Sequence, residues 1–207
     1  MFSVSPMDIW VALSSLLADA LYRGCIALRS AQLPSQRQSS ATPLISIPET
    51  QAQQREQLLE REQRLLRSLL QRWPWWLQGH LKLGELCLHQ GELLLAYGCA
   101  QCALALAKES KSQVRAKFLL ARCYTKSRRP ELAQKELQQL VENDSFGAAI
   151  GLLRLEVPIA EERAACAIAG GNLPAALELL SKFPASRLSS EAQSALEYVR
   201  RKVTAGQ

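Results

Sequence analysis

The chain has 207 residues, enough for one ordinary domain or for a domain with an appended element. Hydrophobic residues make up 48% and charged residues 21%, which excludes a disordered chain. An aromatic share of only 6%, beside abundant Leu and Ala, favours packed helices over strands. The net charge of +6 is mild and spread from Arg61, Arg64 and Arg67 to Arg200, Arg201 and Lys202. It suits an acidic protein partner or an anionic membrane surface better than a dedicated nucleic-acid site, and most of these cations read as solvated helix faces.

Residues 1–33 are expected to form one apolar helix over about 7–33. Ile9, Leu13, Leu16, Leu17, Ala20, Leu21 and Leu28 crowd most of it, and Asp19 with Arg23, one turn apart, are set to pair. No Lys or Arg precedes Asp8 and no small-residue cleavage site follows, so a secretory signal is not expected. Three readings remain: a helix packed in protein, a membrane anchor, or a helix lying at an interface. The two central charges weigh against the spanning form, which needs about 20 mostly apolar residues. If it did span, Arg29 and Arg37 would put the remainder in the cytoplasm.

Residues 34–50, with Pro34, Pro43 and Pro48 and a Ser/Gln bias, read as a flexible linker. A helical domain is then expected over 51–207. It opens with a long helix to Trp73, capped at Thr50, with Leu58, Leu59, Leu65, Leu66, Leu69 and Leu70 as its stripe and Glu60 and Arg64 as an exposed pair. Pro74 ends it.

Between Leu81 and Leu106 two short helices meet at Gly91. Leu83-Gly84 lies in the first, and Ala96, Ala100 and Ala103 lie in the second. Without bulk at Gly84 and Ala96, the backbones can approach closely. A second unit has Leu120-Ala121 and Tyr124, then Pro130 at a helix start followed by Ala133, Leu137 and Leu140. A third has Ala164, Ala167, Gly171, Pro174, Ala176, Leu180 and Phe183. This pattern resembles the tetratricopeptide repeat, a helix-turn-helix unit of about 34 residues. The resemblance covers residues 77–190. Cys87 stands where the family has an aromatic, the turns at Gly91, Arg128 and Gly171 are spaced more widely than the family's unit, and residues 144–157 read as an extra helix. Ser190 to Gln193 has the form of a capping box opening a last helix to about Val203, whose Glu197, Arg200, Arg201 and Lys202 would close the stack with a polar face. The fold expected is all-α: an irregular stack of such hairpins with an N-terminal helix and linker.

No phosphate-binding glycine loop, paired-carboxylate motif or nucleophile elbow is present, and His80 and His89 are the only histidines, so no enzyme is expected. The six cysteines, Cys25, Cys87, Cys99, Cys102, Cys123 and Cys166, lie irregularly among small and apolar residues. They read as free thiols of a reducing compartment, in keeping with a cytoplasmic chain. Cys87, His89, Cys99 and Cys102 compose a conceivable zinc set, and Cys99 with Cys102 a redox pair. Their positions at helix-packing slots favour the thiols as small hydrophobes, so no metal and no cofactor is expected. Trp73, Trp75 and Trp76 read as a helix junction rather than as stacking platforms for nucleic acid.

The resemblance implies a concave groove lined by the first helix of each unit. That puts Leu81 and Glu85 beside Arg115, Phe118 and Arg122, basic in the middle and with Phe118 as an anchor. Chaperone-binding members of the family clamp a C-terminal carboxylate with Lys and Asn at such slots. The Asn residues are missing here, and that activity is not implied. The function expected is a protein-protein interaction scaffold or assembly factor whose groove holds an acidic or amphipathic segment of a partner, with membrane contact through residues 7–31. The alternatives are a structural subunit anchored in a larger complex by its first helix, and a small metal or redox protein using Cys99 and Cys102.

Overall fold

Four helices of this chain end in the same way. Gly91, Arg128, Arg154 and Gly171 have φ of 81°, 57°, 55° and 76°, the left-handed conformation that stops a helix. After each, the next N–H donates five residues back: Glu92 to the Cys87 carbonyl, Arg129 to Tyr124, Leu155 to Ile150 and Asn172 to Ala167, at 2.8 to 3.1 Å. Glycine fills two of these positions at no steric cost. Arginine fills the other two at a cost of about 1–2 kcal/mol each.

These turns organise a computed structural model that describes residues 6–32 and 47–205, within which there are ten α-helices and no strand. In chain order the helices are α1 (Pro6–Gln32), α2 (Ile47–Arg72), α3 (Leu77–Gln90), α4 (Leu93–Leu106), α5 (Ser110–Lys126), α6 (Pro130–Glu142), α7 (Asp144–Leu153), α8 (Glu156–Ala169), α9 (Leu173–Ser181) and α10 (Ser190–Ala205). The pairs α3–α4, α5–α6 and α8–α9 are antiparallel hairpins stacked in sequence, and α7 is an additional helix between the second and third. The all-α hairpin stack is therefore as the sequence predicts.

The first hairpin is the tightest. A Cβ added at Gly84 would lie 2.7 Å from Leu119 Cδ2 and 3.2 Å from Cys99 Cβ, so the missing side chain is what lets α3 meet α4 and α5. Ala96, Cys99, Ala100 and Ala103 supply the facing surface of α4, all buried. Three apolar cores follow one another along the stack. The first joins α1–α5 around Leu66, Trp76, Leu81 and Leu120. The second lies among α5–α8 around Leu137, Leu140, Phe146 and Ile159. The third lies among α8–α10 around Val157, Leu180 and Val199.

Helix α1 packs on α2 and α3 through Ser14, Ala18 and Tyr22, spaced four apart on one face. Its attachment is largely polar and aromatic. Trp75 Nε1 donates to Ser14 Oγ at 2.8 Å, Trp76 Nε1 donates to Asp19 Oδ1 at 2.9 Å, and the Tyr22 hydroxyl donates to Glu62. Trp10 and Tyr22 set their rings against Trp75 and Trp76, with centroids 5.8 and 5.9 Å apart. The tryptophan corner is a helix junction, and it holds α1. Asp19 and Arg23 do pair, at 3.9 Å.

Two expectations need correction. Helix α2 begins at Ile47, so residues 47–50 of the expected linker are its first turn, with Pro48 tolerated there; residues 33–46 lie outside the described ones. The cap of α10 is Ser189, not Ser190: Ser189 Oγ accepts the Ala192 N–H at 3.2 Å. The reciprocal acceptor comes from another helix, since Glu161 takes the Ser189 N–H at 2.6 Å, while Gln193 donates to the Ala185 and Leu188 carbonyls.

Candidate functional site

The first helices of the three hairpins, α3, α5 and α8, border one groove, closed at its far end by α10. Its cavity is about 600 Å³. Helix α5 sends Arg115, Phe118, Arg122 and Lys126 into it at intervals of three and four, which is one helix face. Helix α8 answers with Pro158, Glu161, Glu162 and Ala165, which also share one helix face. Leu119 and Leu155 add apolar floor, and Glu85 and Glu191 stand at the two ends.

Of the residues predicted from sequence, Glu85, Arg115, Phe118 and Arg122 meet in this groove. Leu81 does not. It is fully buried in the first core, and α3 instead turns Gln78 outward, one turn earlier, where Gln78 Oε1 accepts from Arg115 Nη1 at 2.9 Å. Lys126, Leu155, Glu161, Glu162 and Glu191 also line the groove and went unforeseen. Extending the first-helix projection one unit further, to α8, would have found the paired glutamates.

The electrostatics also differ from expectation. Each groove arginine faces a carboxylate: Arg115 and Glu85 lie 3.8 Å apart, Arg122 and Glu162 4.0 Å apart. Lys82 also reaches Glu85, at 3.8 Å. The groove is not basic in its middle but divided, with cations on the α5 wall and carboxylates on the α8 and α10 side. Burial pushes the Glu162 carboxyl above the usual carboxylate range, with Arg122 and Lys126 pulling the other way. A cation brought beside Glu162 by a ligand would act in the same direction as Arg122 and Lys126.

The cysteines do not converge on this groove as a chemical site. Among the described residues no three of His, Cys, Asp and Glu form a metal-holding group. Cys87 and Cys99 are buried, while Cys102 and His89 are exposed. Burial pushes the Cys99 thiol up to about 12, helped by the nearby Cys87, and the Cys123 thiol up to about 11. Such thiols are protonated at neutral pH and poor nucleophiles.

A second surface lies on α1. Turned away from its docked face, Leu13, Leu16 and Leu17 stand 61%, 63% and 52% exposed and form an apolar stripe, flanked by Leu21 at 44%. No helix among the described residues is long and apolar enough to cross a membrane. No family model, no curated protein and no solved structure matches this chain.

Proposed function

We propose that this protein is a non-enzymatic interaction scaffold whose groove holds an amphipathic segment of a partner protein. The observation that carries this reading is the lining itself: an apolar floor at Phe118, Leu119 and Leu155 between a cationic wall and a carboxylate wall. Such a trough suits a peptide with an apolar anchor and both charge signs, rather than the purely acidic segment that unpaired arginines would favour. A tetratricopeptide-like assembly factor works in this way, and six free thiols are in keeping with a cytoplasmic one. Nucleic acid is a poor fit, because the groove cations already face carboxylates.

The apolar stripe of α1 supports a second contact, either a membrane surface on which α1 lies flat or a larger complex of which this chain is a subunit. Sedimentation with anionic vesicles separates the two. Membrane docking predicts binding that Leu13→Gln with Leu17→Gln removes, whereas a subunit stays in the supernatant.

The groove is tested by selecting peptides from a displayed library on the full chain. Enriched peptides are expected to carry an apolar residue flanked by both charges. They should lose roughly tenfold in affinity on either Lys126→Glu or Glu191→Lys, two exposed positions where reversal leaves the fold intact. Peptides that bind both reversed proteins as well as the original would sink the proposal.

A further inference from the structure

On the other face of α8 from the groove lies a second, smaller cleft that shares no residue with it. Its cavity is about 340 Å³ and it is bounded by α6, α7, α8 and α9. The additional helix α7 creates it by standing between the second and third hairpins. The walls are Ile150 of α7, Ile159 of α8, Leu179 of α9 and Phe183 just beyond. Gly147 of α7 borders the space, and a Cβ built on it meets nothing within 4 Å.

Of the three charged residues lining this cleft, only Lys182 has an ion-pair partner among the described residues; Arg163 and Glu156 have none. Arg163 lines the cleft half-buried, and its guanidinium makes no ion pair among the described residues. Elsewhere the half-buried cations of this stack each face a carboxylate: Arg115 faces Glu85, Lys117 faces Glu136 at 3.3 Å, and Arg122 faces Glu162. Lys182, also at the cleft, is engaged by Glu178 at 3.1 Å. Exposed Glu156 also lines the cleft and disfavours a second negative charge.

We infer that this cleft binds a free, single-chain carboxylate of medium length, its tail among Ile150, Ile159, Leu179 and Phe183 and its head on Arg163. The guanidinium fork matches a carboxylate with two parallel hydrogen bonds, and a monoanion suits one unpaired arginine beside one exposed glutamate. The cavity lies near the lower end of ligand-pocket volumes, roughly 300 Å³. It is too small for a partner helix, which is about 10 Å across.

The test is calorimetric titration of the full chain with decanoate below its micelle concentration. Saturable one-to-one binding is expected, with 1-decanol and the decyltrimethylammonium cation each weaker by at least about tenfold. Arg163→Gln should bring decanoate down by a similar factor. Gly147→Leu, which fills the cleft and removes a glycine from a helix interior, should abolish the binding without lowering Tm. Leu13→Gln with Leu17→Gln, on the apolar stripe of α1, should change nothing. The inference fails if the original protein shows no saturable binding, if Gly147→Leu binds decanoate as before, if decanol binds as tightly as decanoate, or if the α1 variant removes the binding. None of these outcomes bears on the peptide groove, whose residues are untouched.

Discussion

Helices α1 and α4 are both built from Leu and Ala, both bury small residues and both leave leucines outside, yet they are held in different ways. Helix α4 presses Ala96, Ala100 and Ala103 against α3, where Gly84 removes the last obstacle to close contact, and its exposed Leu94 is incidental. Helix α1 buries Ala18 and Ser14 against side chains rather than backbone, and depends on three hydrogen bonds and two ring contacts. Close backbone packing ties a helix into the cooperative core. Attachment through side-chain tips leaves it able to open locally, at a lower free energy than global unfolding.

Thiol labelling draws this contrast most widely. Half-buried Cys25 of α1 should react with a maleimide in buffer, while Cys99 of α4 should stay unlabelled until the protein unfolds. Its thiol, pushed up to about 12, holds a thiolate fraction about a thousandfold below that of a free cysteine. Labelling of both at similar rates would erase the distinction. Trp76→Ala strikes the residue the two regions share, and should cost about 4 kcal/mol in urea denaturation while also freeing α1. Gly84→Leu overpacks the contact of α3 with α4 and α5 and should cost about 3 kcal/mol, with α1 amides still protected.

Ser14→Ala removes the acceptor of Trp75 and should cost about 1 kcal/mol, read as roughly fivefold faster hydrogen exchange in α1 with the global midpoint unmoved. A midpoint that fell in step would show that α1 belongs to the cooperative core after all. The smallest effect belongs to the groove, outside both regions. Because burial raises the Glu162 carboxyl, its contribution favours folding below the ordinary glutamate range and is lost as pH rises through it towards the raised value. Glu162→Gln should therefore gain in Tm on the original protein between pH 4 and pH 7.

Most of the stack was legible because its punctuation is local. Gly91, Gly171, Pro130 and Pro174 mark turns and helix starts whatever surrounds them. The turn at Arg128 was placed from the unit pattern and the Pro130 that follows, whereas Arg154 carries no residue-type mark for its left-handed conformation. The Ser189 cap was missed for a similar reason: of two adjacent serines, the one chosen is the one whose N–H meets Glu161 from a distant helix. Helix α1 resisted periodicity because it inverts the usual arrangement, with polar and small residues inward and leucines outward. In the groove, the helix face of α5 was readable from Arg115, Phe118 and Arg122. Leu81 was not separable from Gln78 as the outward residue of α3, because that depends on the angle at which α3 meets the tryptophan corner.

Helices α5 and α8 each stand in two of the three cores. Helix α5 gives Leu119 and Leu120 to the first and Val114 and Ala121 to the second; α8 gives Ile159 and Cys166 to the second and Ala164 and Ala167 to the third. The groove walls are thus shared partitions, like the coils of a spring whose gap is set by how far the whole is bent. Flexing of the stack would widen or narrow the trough while each core kept its own contacts, and a peptide held as proposed would act as a wedge that fixes its curvature.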